Sequence, residues 1–133
     1  MAVVALMGAT PAAHAQDQAS APETPRRRNF EAPAQPGALQ LENAHFSYQS
    51  FITPSRDGQR HYRIHVAVPK SPAPQGGYQV VYMADGDAAF SAIDATMVER
   101  MAAGDAPVLV GVGYEGDRRF STTERAYDYT PPS

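Results

Sequence analysis

Residues 78–114 read YQVVYMADGDAAFSAIDATMVERMAAGDAPVLVGVGY, and this stretch decides the fold. It contains two continuous apolar runs, at 80–84 and 108–112, which do not alternate with polar residues. Such runs are typical of strands that are buried on both faces, as in a parallel sheet. Between them, apolar residues recur at helical spacing: Phe90, Ile93, Met97 and Met101. The stretch therefore predicts a βαβ unit, with a helix over about 88–103 that buries this stripe and ends near Gly104.

The two predicted parallel strands are each followed by polar and glycine residues. Asp-Gly-Asp occupies 85–87 after the first strand, and Gly-Tyr-Glu occupies 113–115 after the second. Ligands of open α/β sheets bind beyond the carboxyl ends of the strands, so we expect these six residues to line one rim. Helix capping and turn formation are the preferred roles of Asp85 and Asp87. A hard-cation site is disfavoured because no further carboxylate follows at EF-hand spacing.

An antiparallel hairpin is predicted before the βαβ unit. Phe46 and Tyr48 share one face of a first strand, and residues 56–59 read Arg-Asp-Gly-Gln, a turn sequence. The second strand, 61–68, alternates apolar and mostly polar residues. We expect its Tyr, Ile and Val side chains to be covered, as at the antiparallel edge of a mixed sheet. The side chains on the other face should be exposed to solvent or only partly covered: His61, Arg63, His65 and Ala67.

The two histidines of this strand do not form a metal site. The Cα atoms of His61 and His65 would lie roughly 13 Å apart on a strand, which is too far for both side chains to bind one ion. No metal site and no cofactor are predicted elsewhere. The glycines of 111–116 are not followed by Gly-Lys-Ser/Thr, so a phosphate-binding loop is not predicted either.

The composition of the chain excludes several classes of binding site and partner. The chain has 133 residues, a net charge of -3 and no cysteine. The charge does not indicate a nucleic-acid partner, and the lack of cysteine excludes disulfides and thiolate metal sites. The apolar runs are shorter than the roughly 18 residues that a membrane span needs.

The N-terminal 40 residues differ in composition from the rest. An apolar core at 2–7 precedes Ala13-His14-Ala15, an A-x-A cleavage pattern, so residues 1–15 are predicted to be a signal peptide. An uncleaved N-terminal helix is the alternative, since no basic residue precedes the apolar core. Residues 16–40 are predicted to be a disordered linker rich in Ala, Pro and Gln, and residues 41–133 a partial α/β domain. Export to the periplasm or the exterior follows from the signal peptide.

Four ordered motifs carry a family resemblance: 60–69, 77–90, 108–114 and 125–132. Together they resemble the start of an esterase family of the α/β-hydrolases, and within it the periplasmic siderophore esterases of the enterobactin and bacillibactin type. The implied fold class is the N-terminal part of an α/β-hydrolase fold, with an antiparallel hairpin followed by a parallel βαβ unit and an incomplete sheet.

The resemblance implies a Ser-His-Asp/Glu esterase whose nucleophile, acid and histidine follow these motifs. No Gly-x-Ser-x-Gly lies within the 133 residues, so no catalytic triad is predicted here and the chain alone is expected to be inactive. A backbone N–H of Gly86 or Asp87 would give half of the oxyanion hole. The implied partner is a small-molecule ester, with ferric catecholate siderophores as one candidate, and the fragment is expected to self-associate.

Three arginines near the predicted rim are candidates for binding substrate or another anion: Arg118, Arg119 and Arg125. Surface ion pairs are an equally good interpretation of the same residues. They also support an alternative to the esterase, which is a small secreted anion-binding or interaction domain without catalytic activity.

The signal-peptide prediction can be tested by mass spectrometry of exported protein. Cleavage after Ala15 should leave Gln16 at the N-terminus, because the A-x-A pattern ends there. Recovery of an intact Met1 on periplasmic protein would count against this prediction.

Overall fold

The four predicted strands form one mixed sheet. A computed structural model describes residues 32–130. The elements are β1 (Phe46–Pro54), β2 (His61–Pro69), β3 (Val80–Ala84), α1 (Gly86–Ala92), α2 (Ala95–Ala102), β4 (Val108–Tyr114) and α3 (Thr122–Tyr129). The strand order is β1-β2-β4-β3, with β3 and β4 parallel and the other neighbours antiparallel. The predicted hairpin, βαβ unit and α/β class with an incomplete sheet are therefore confirmed.

The hairpin turn forms where its sequence predicts. Gly58 has a φ of 70°, a left-handed conformation that glycine adopts without steric cost. Ser55 N–H donates to the carbonyl of Arg60 at 2.8 Å and closes the turn. The register that follows places Tyr48 beside Ala67 and Ser50 beside His65.

The covered face of β2 is opposite to the predicted one. His65 is 2% exposed and Ala67 is fully buried, whereas Ile64 and Val66 are only half-buried. The helices pack on the His65 face, so the prediction that His65 is a wet, open-face residue is wrong. The core on this face consists of Leu39, Phe46, Ala67, Phe90, Val98, Ala106 and Leu109.

The predicted single helix over 88–103 is two helices. Ile93 is extended, with φ -81° and ψ 110°, and it ends α1. Asp94 then caps α2, because its carboxylate accepts the Met97 N–H at 2.8 Å. Because of this break, α2 buries a different face from the one predicted, and Val98 is buried in place of Met97.

Part of the predicted linker packs against the domain. Residues 1–31, with the predicted signal peptide, lie outside the described residues, but residues 32–40 do not. Leu39 is fully buried in the core, and the Ala38 N–H donates to the Ile93 carbonyl at 2.8 Å. The last residues of the segment predicted to be a linker therefore contribute to the core, next to the predicted boundary at 41.

A third helix, α3, lies in the polar segment after β4, where no helix was predicted. Ser121 precedes it and contacts the side chain of Glu124. Ser-x-x-Glu is the capping-box pattern of a helix N-terminus. The helix has no buried residues, which is why hydrophobic periodicity did not indicate it.

The face of the sheet opposite α1 and α2 is largely open among the described residues. Apolar side chains there and along the free edge of β3 are exposed: Phe51, Val80, Val81, Tyr82 and Val112. The prediction that both apolar runs are buried on two faces is therefore wrong for residues 32–130, because no described element covers the second face of β3 and β4. No helix within 32–130 is both long and apolar enough to cross a membrane.

The corrected helix boundary can be tested with two neighbouring substitutions. Val98→Asp should destabilise the protein by more than about 3 kcal/mol, because it buries an unpaired carboxylate in the core. Met97→Asp, at a side chain that is 49% exposed, should change stability by less than about 1 kcal/mol. Chemical denaturation of the two variants measures the difference. Equal effects would show that the two side chains are equally buried.

Candidate active site

The turn between β3 and α1 lies directly on the backbone of β4. A Cβ at Gly86 would lie 2.7 Å from the carbonyl carbon of Gly111 and 2.9 Å from the Val112 nitrogen, so only glycine fits. Asp85, just before it, has φ 51° and ψ 51° and is the one non-glycine residue with positive φ among residues 32–130. Such conformations cost of order 1 kcal/mol or more and concentrate at functional sites.

Two glycines of β4 make room for side chains of α1. A Cβ at Gly111 would lie 2.8 Å from the Phe90 ring, and a Cβ at Gly113 would lie 2.1 Å from Asp87 Oδ2. The sequence Gly-Val-Gly therefore places two gaps on the covered face of the strand. One gap holds the Phe90 ring and the other holds the Asp87 carboxylate.

Asp87 is a buried ion-pair residue and not a helix cap. It is 8% exposed, and its Oδ1 accepts from His65 Nε2 at 3.1 Å. Arg63 Nε lies 3.9 Å from the same oxygen. Asp85 occupies the N-cap position, and its side chain makes no capping hydrogen bond either. The predicted capping role of Asp87 is therefore wrong.

His65 connects Asp87 to Tyr48. The Tyr48 hydroxyl lies 2.8 Å from His65 Nδ1, and the imidazole stacks on Phe90 at a centroid distance of 5.1 Å. A carboxylate only accepts hydrogen bonds, so Nε2 carries the proton that Asp87 accepts. No such acid–histidine pair was predicted, and the ring is too buried to reach a substrate.

The predicted rim arginines are dispersed. Arg125 Nε lies 2.8 Å from Asp85 Oδ1, with the N–H not aligned for a hydrogen bond, so the contact is an ion pair. Arg118 and Arg119 lie on the loop that pairs with residues 32–34, where Arg119 N–H donates to the Ala32 carbonyl at 3.0 Å. The structure does not bring the three side chains to one point.

A cleft of about 350 Å³ opens at the carboxyl end of β4. Arg118 is the one predicted rim arginine among its lining residues, which are Tyr114, Glu115, Gly116, Asp117, Arg118, Ser121, Thr123 and Glu124. The cleft is polar and contains both charge signs. It lies at the predicted rim, where β4 ends.

Helix α3 is attached beside this cleft through Asp128. The carboxylate accepts from Tyr114 at 3.0 Å and Tyr62 at 3.2 Å, and it pairs with Arg60. Burial, followed by the hydrogen bond to Asp128, raises the pKa of the Tyr114 hydroxyl well above its ordinary value of 10.0. Tyr114 therefore stays protonated and donates to Asp128 at all physiological pH values.

The predicted oxyanion donors are at the start of α1. Gly86 and Asp87 are buried and occupy the first turn, whose N–H groups have no acceptor within the helix. Within residues 32–130, no group of three His, Cys, Asp or Glu side chains has the arrangement of a metal site.

Comparisons with known proteins give the relatives of this chain. No protein-family model matches it. It is 45% identical over 87 residues to the apo-salmochelin esterase of Escherichia coli O6:H1 (strain CFT073), a match covering 65% of this chain and 27% of the relative. It is 35% identical over 88 residues to the ferri-bacillibactin esterase BesA of Bacillus subtilis (strain 168), covering 59% of this chain and 29% of the relative.

Solved structures give the same result. The enterobactin and salmochelin hydrolase IroE matches with a TM-score of 0.64 and 38% identity, covering 68% of this chain and 37% of that chain. The BES protein from Bacillus cereus matches with a TM-score of 0.55 and 33% identity, covering 70% and 36%. The predicted resemblance to siderophore esterases is thus confirmed. The matches span between about a quarter and two fifths of the relatives' lengths.

The gap at Gly113 gives a test of the site geometry. Gly113→Ala should destabilise the protein by about 1–3 kcal/mol, because the new methyl group overlaps the Asp87 carboxylate. Gly104→Ala is the matched control, since nothing lies within 4 Å of its Cβ. Thermal or urea unfolding of the two variants gives the comparison. A Gly113→Ala protein as stable as the control would show that Asp87 is not held against β4.

Proposed function

We propose, from the relation of this chain to siderophore esterases, that residues 32–130 form the N-terminal part of a serine esterase that cleaves carboxylic ester bonds. The observation that carries the proposal is the β3–α1 turn, at the carboxyl ends of two parallel strands. In α/β-hydrolases the loop after the third strand supplies one N–H of the oxyanion hole, and the residue after the nucleophile supplies the other.

The proposed oxyanion donor is the backbone N–H of Gly86 or Asp87. Helix α1 begins at Gly86, so these N–H groups are at the positive end of the helix and have no helical acceptor. An N–H held in a fixed position stabilises negative charge on a tetrahedral intermediate without reorganisation. Both residues are buried, and the close seating of Gly86 on β4 fixes their position.

The proposed substrate is a small ester, and ferric catecholate siderophores are the candidates that the relatives' names support. Arg118 lines the cleft at the end of β4 and is the rim arginine best located to contact an anionic substrate. Arg125 is proposed to stabilise the β3–α1 turn and not to bind substrate, because it forms an ion pair with Asp85.

The open face of the sheet supports the proposal that the complete domain contains more than residues 32–130. Sheets that contain parallel strands are normally covered on both faces, but α1 and α2 cover only one here. The exposed edge of β3 can pair with a further strand. On its own, the chain should associate through this surface and should lack esterase activity. We further propose that the protein is exported to the periplasm or secreted.

The activity proposal is tested by comparing two polypeptides. Purified Gln16–Ser133 should give no burst of product from a p-nitrophenyl ester and no labelling by a fluorophosphonate probe, because it contains no nucleophile elbow. The same reading frame, continued through a downstream Gly-x-Ser-x-Gly and its histidine, should give both signals.

The result that would overturn this proposal is stoichiometric covalent labelling of a serine within the 133 residues. An oxyanion site without its nucleophile and base leaves at most roughly 10³–10⁴-fold catalysis over water even when it is complete. A rate above that from the shorter polypeptide would also contradict it.

A further inference from the structure

Tyr48, His65 and Asp87 form a continuous hydrogen-bonded chain beneath the β3–α1 turn. The distances are 2.8 Å from the Tyr48 hydroxyl to His65 Nδ1 and 3.1 Å from His65 Nε2 to Asp87 Oδ1. The first two residues belong to the hairpin strands β1 and β2, and the third belongs to the first turn of α1. These hydrogen bonds therefore connect the antiparallel hairpin to the β3–α1 turn, which lies over β4.

We infer that these three residues are a positioning unit that holds the backbone N–H groups of Gly86 and Asp87 in place. The inference rests on the proposed function in so far as those groups are the oxyanion donors. Asp87 is held from both sides, by the His65 hydrogen bond and by the gap at Gly113, so its Cα cannot shift without losing one of them. A fixed Cα at 87 fixes the orientation of the adjoining peptide groups.

The hydrogen-bond partners of His65 set the donor and acceptor roles in this unit. The Asp87 carboxylate only accepts, so it accepts the N–H at Nε2 of His65. The other ring nitrogen, Nδ1, then accepts from the Tyr48 hydroxyl. Tyr48 therefore donates, Asp87 accepts, and His65 does both.

Packing alone is the competing explanation for the burial of His65. Its ring stacks on Phe90, so an apolar ring of similar size would satisfy a packing role. The two explanations differ for substitutions that keep the shape and remove the hydrogen bonds. His65→Phe keeps a stacked ring but cannot donate to Asp87, whereas His65→Gln keeps an N–H donor near the position of Nε2.

Hydrogen exchange measured by mass spectrometry on the full 133-residue chain provides the test. The amides of α1 should exchange at least about threefold faster in Tyr48→Phe and His65→Phe than in the unaltered protein, because the turn is released. His65→Gln should restore most of the protection. Tyr82→Phe makes the same chemical change as Tyr48→Phe at a tyrosine that is 74% exposed, and should leave the exchange of the α1 amides unchanged.

A second measurement examines the tautomer directly. In protein labelled with ¹⁵N only at its four histidines, the signal that disappears in His65→Gln belongs to His65. It should show protonation at Nε2 and should change in Tyr48→Phe. Unchanged α1 exchange in both His65→Phe and Tyr48→Phe would overturn the inference in favour of packing. A His65 ring protonated at Nδ1 in the unaltered protein would overturn the assigned donor and acceptor roles.

The extended reading frame adds a kinetic measurement. Tyr48→Phe should lower kcat about tenfold with little change in KM, since the oxyanion donors act in the transition state, and Tyr82→Phe should not. An unchanged kcat in Tyr48→Phe would overturn the link to the oxyanion donors. Absence of ester hydrolysis in the unaltered extended protein would refute the proposed function, while the exchange experiment would still decide the positioning role.

Discussion

The contact between the β3–α1 turn and β4 is the constraint on which the rest of the structure depends. It is a backbone-to-backbone contact, because a Cβ at Gly86 would overlap Gly111 and Val112. Since β3 and β4 are parallel neighbours, the chain must leave β3 and begin α1 immediately over the end of β4. The left-handed conformation of Asp85 makes this abrupt change of direction. The position of α1, and of every side chain that it buries, follows from this turn.

Seating the helix so close to the strand requires the strand to leave space. The glycines at 111 and 113 provide it on one face, for the ring of Phe90 and for the carboxylate of Asp87. Burying a carboxylate is costly unless it is paired, and the partners here come from β2, at Arg63 and His65. The hairpin therefore extends the sheet and also supplies the polar partners that offset the cost of burying the Asp87 carboxylate.

Much of the fold could be predicted because its main signals are local. Two apolar runs around a helical stripe are sufficient for a βαβ unit, and Arg-Asp-Gly-Gln is sufficient for the hairpin turn. The break at Asp94 was missed, although Asp is a strong N-cap residue, because the apolar spacing continues through it from Phe90 to Met101. Helix α3 was missed because it buries nothing. Its indicator in the sequence is the Ser-x-x-Glu pattern at 121–124, although the Ser121 side chain makes no capping hydrogen bond.

The acid–histidine pair depends on information that is not local in sequence. The alternation in β2 shows that the strand has two different faces, but it does not show which face the helices cover. The apolar residues Ile64 and Val66 suggested the face that the structure leaves half-exposed. The choice is decided by β4, whose two glycines lie on the His65 face in the strand register. A glycine pair at alternate positions of a buried strand indicates close approach of another backbone or a large side chain.

The helix-covered side of the sheet has its polar and apolar partners within the described residues, whereas the opposite side does not. Asp87, His65 and Tyr48 satisfy one another, and Phe90 fills its gap, without any contribution from the open face. The geometry of the turn is therefore determined by local pairings on one face. The turn is fixed although Tyr82 and Val112 on the other face are exposed, and such a preorganised backbone is what the proposed oxyanion donors would require.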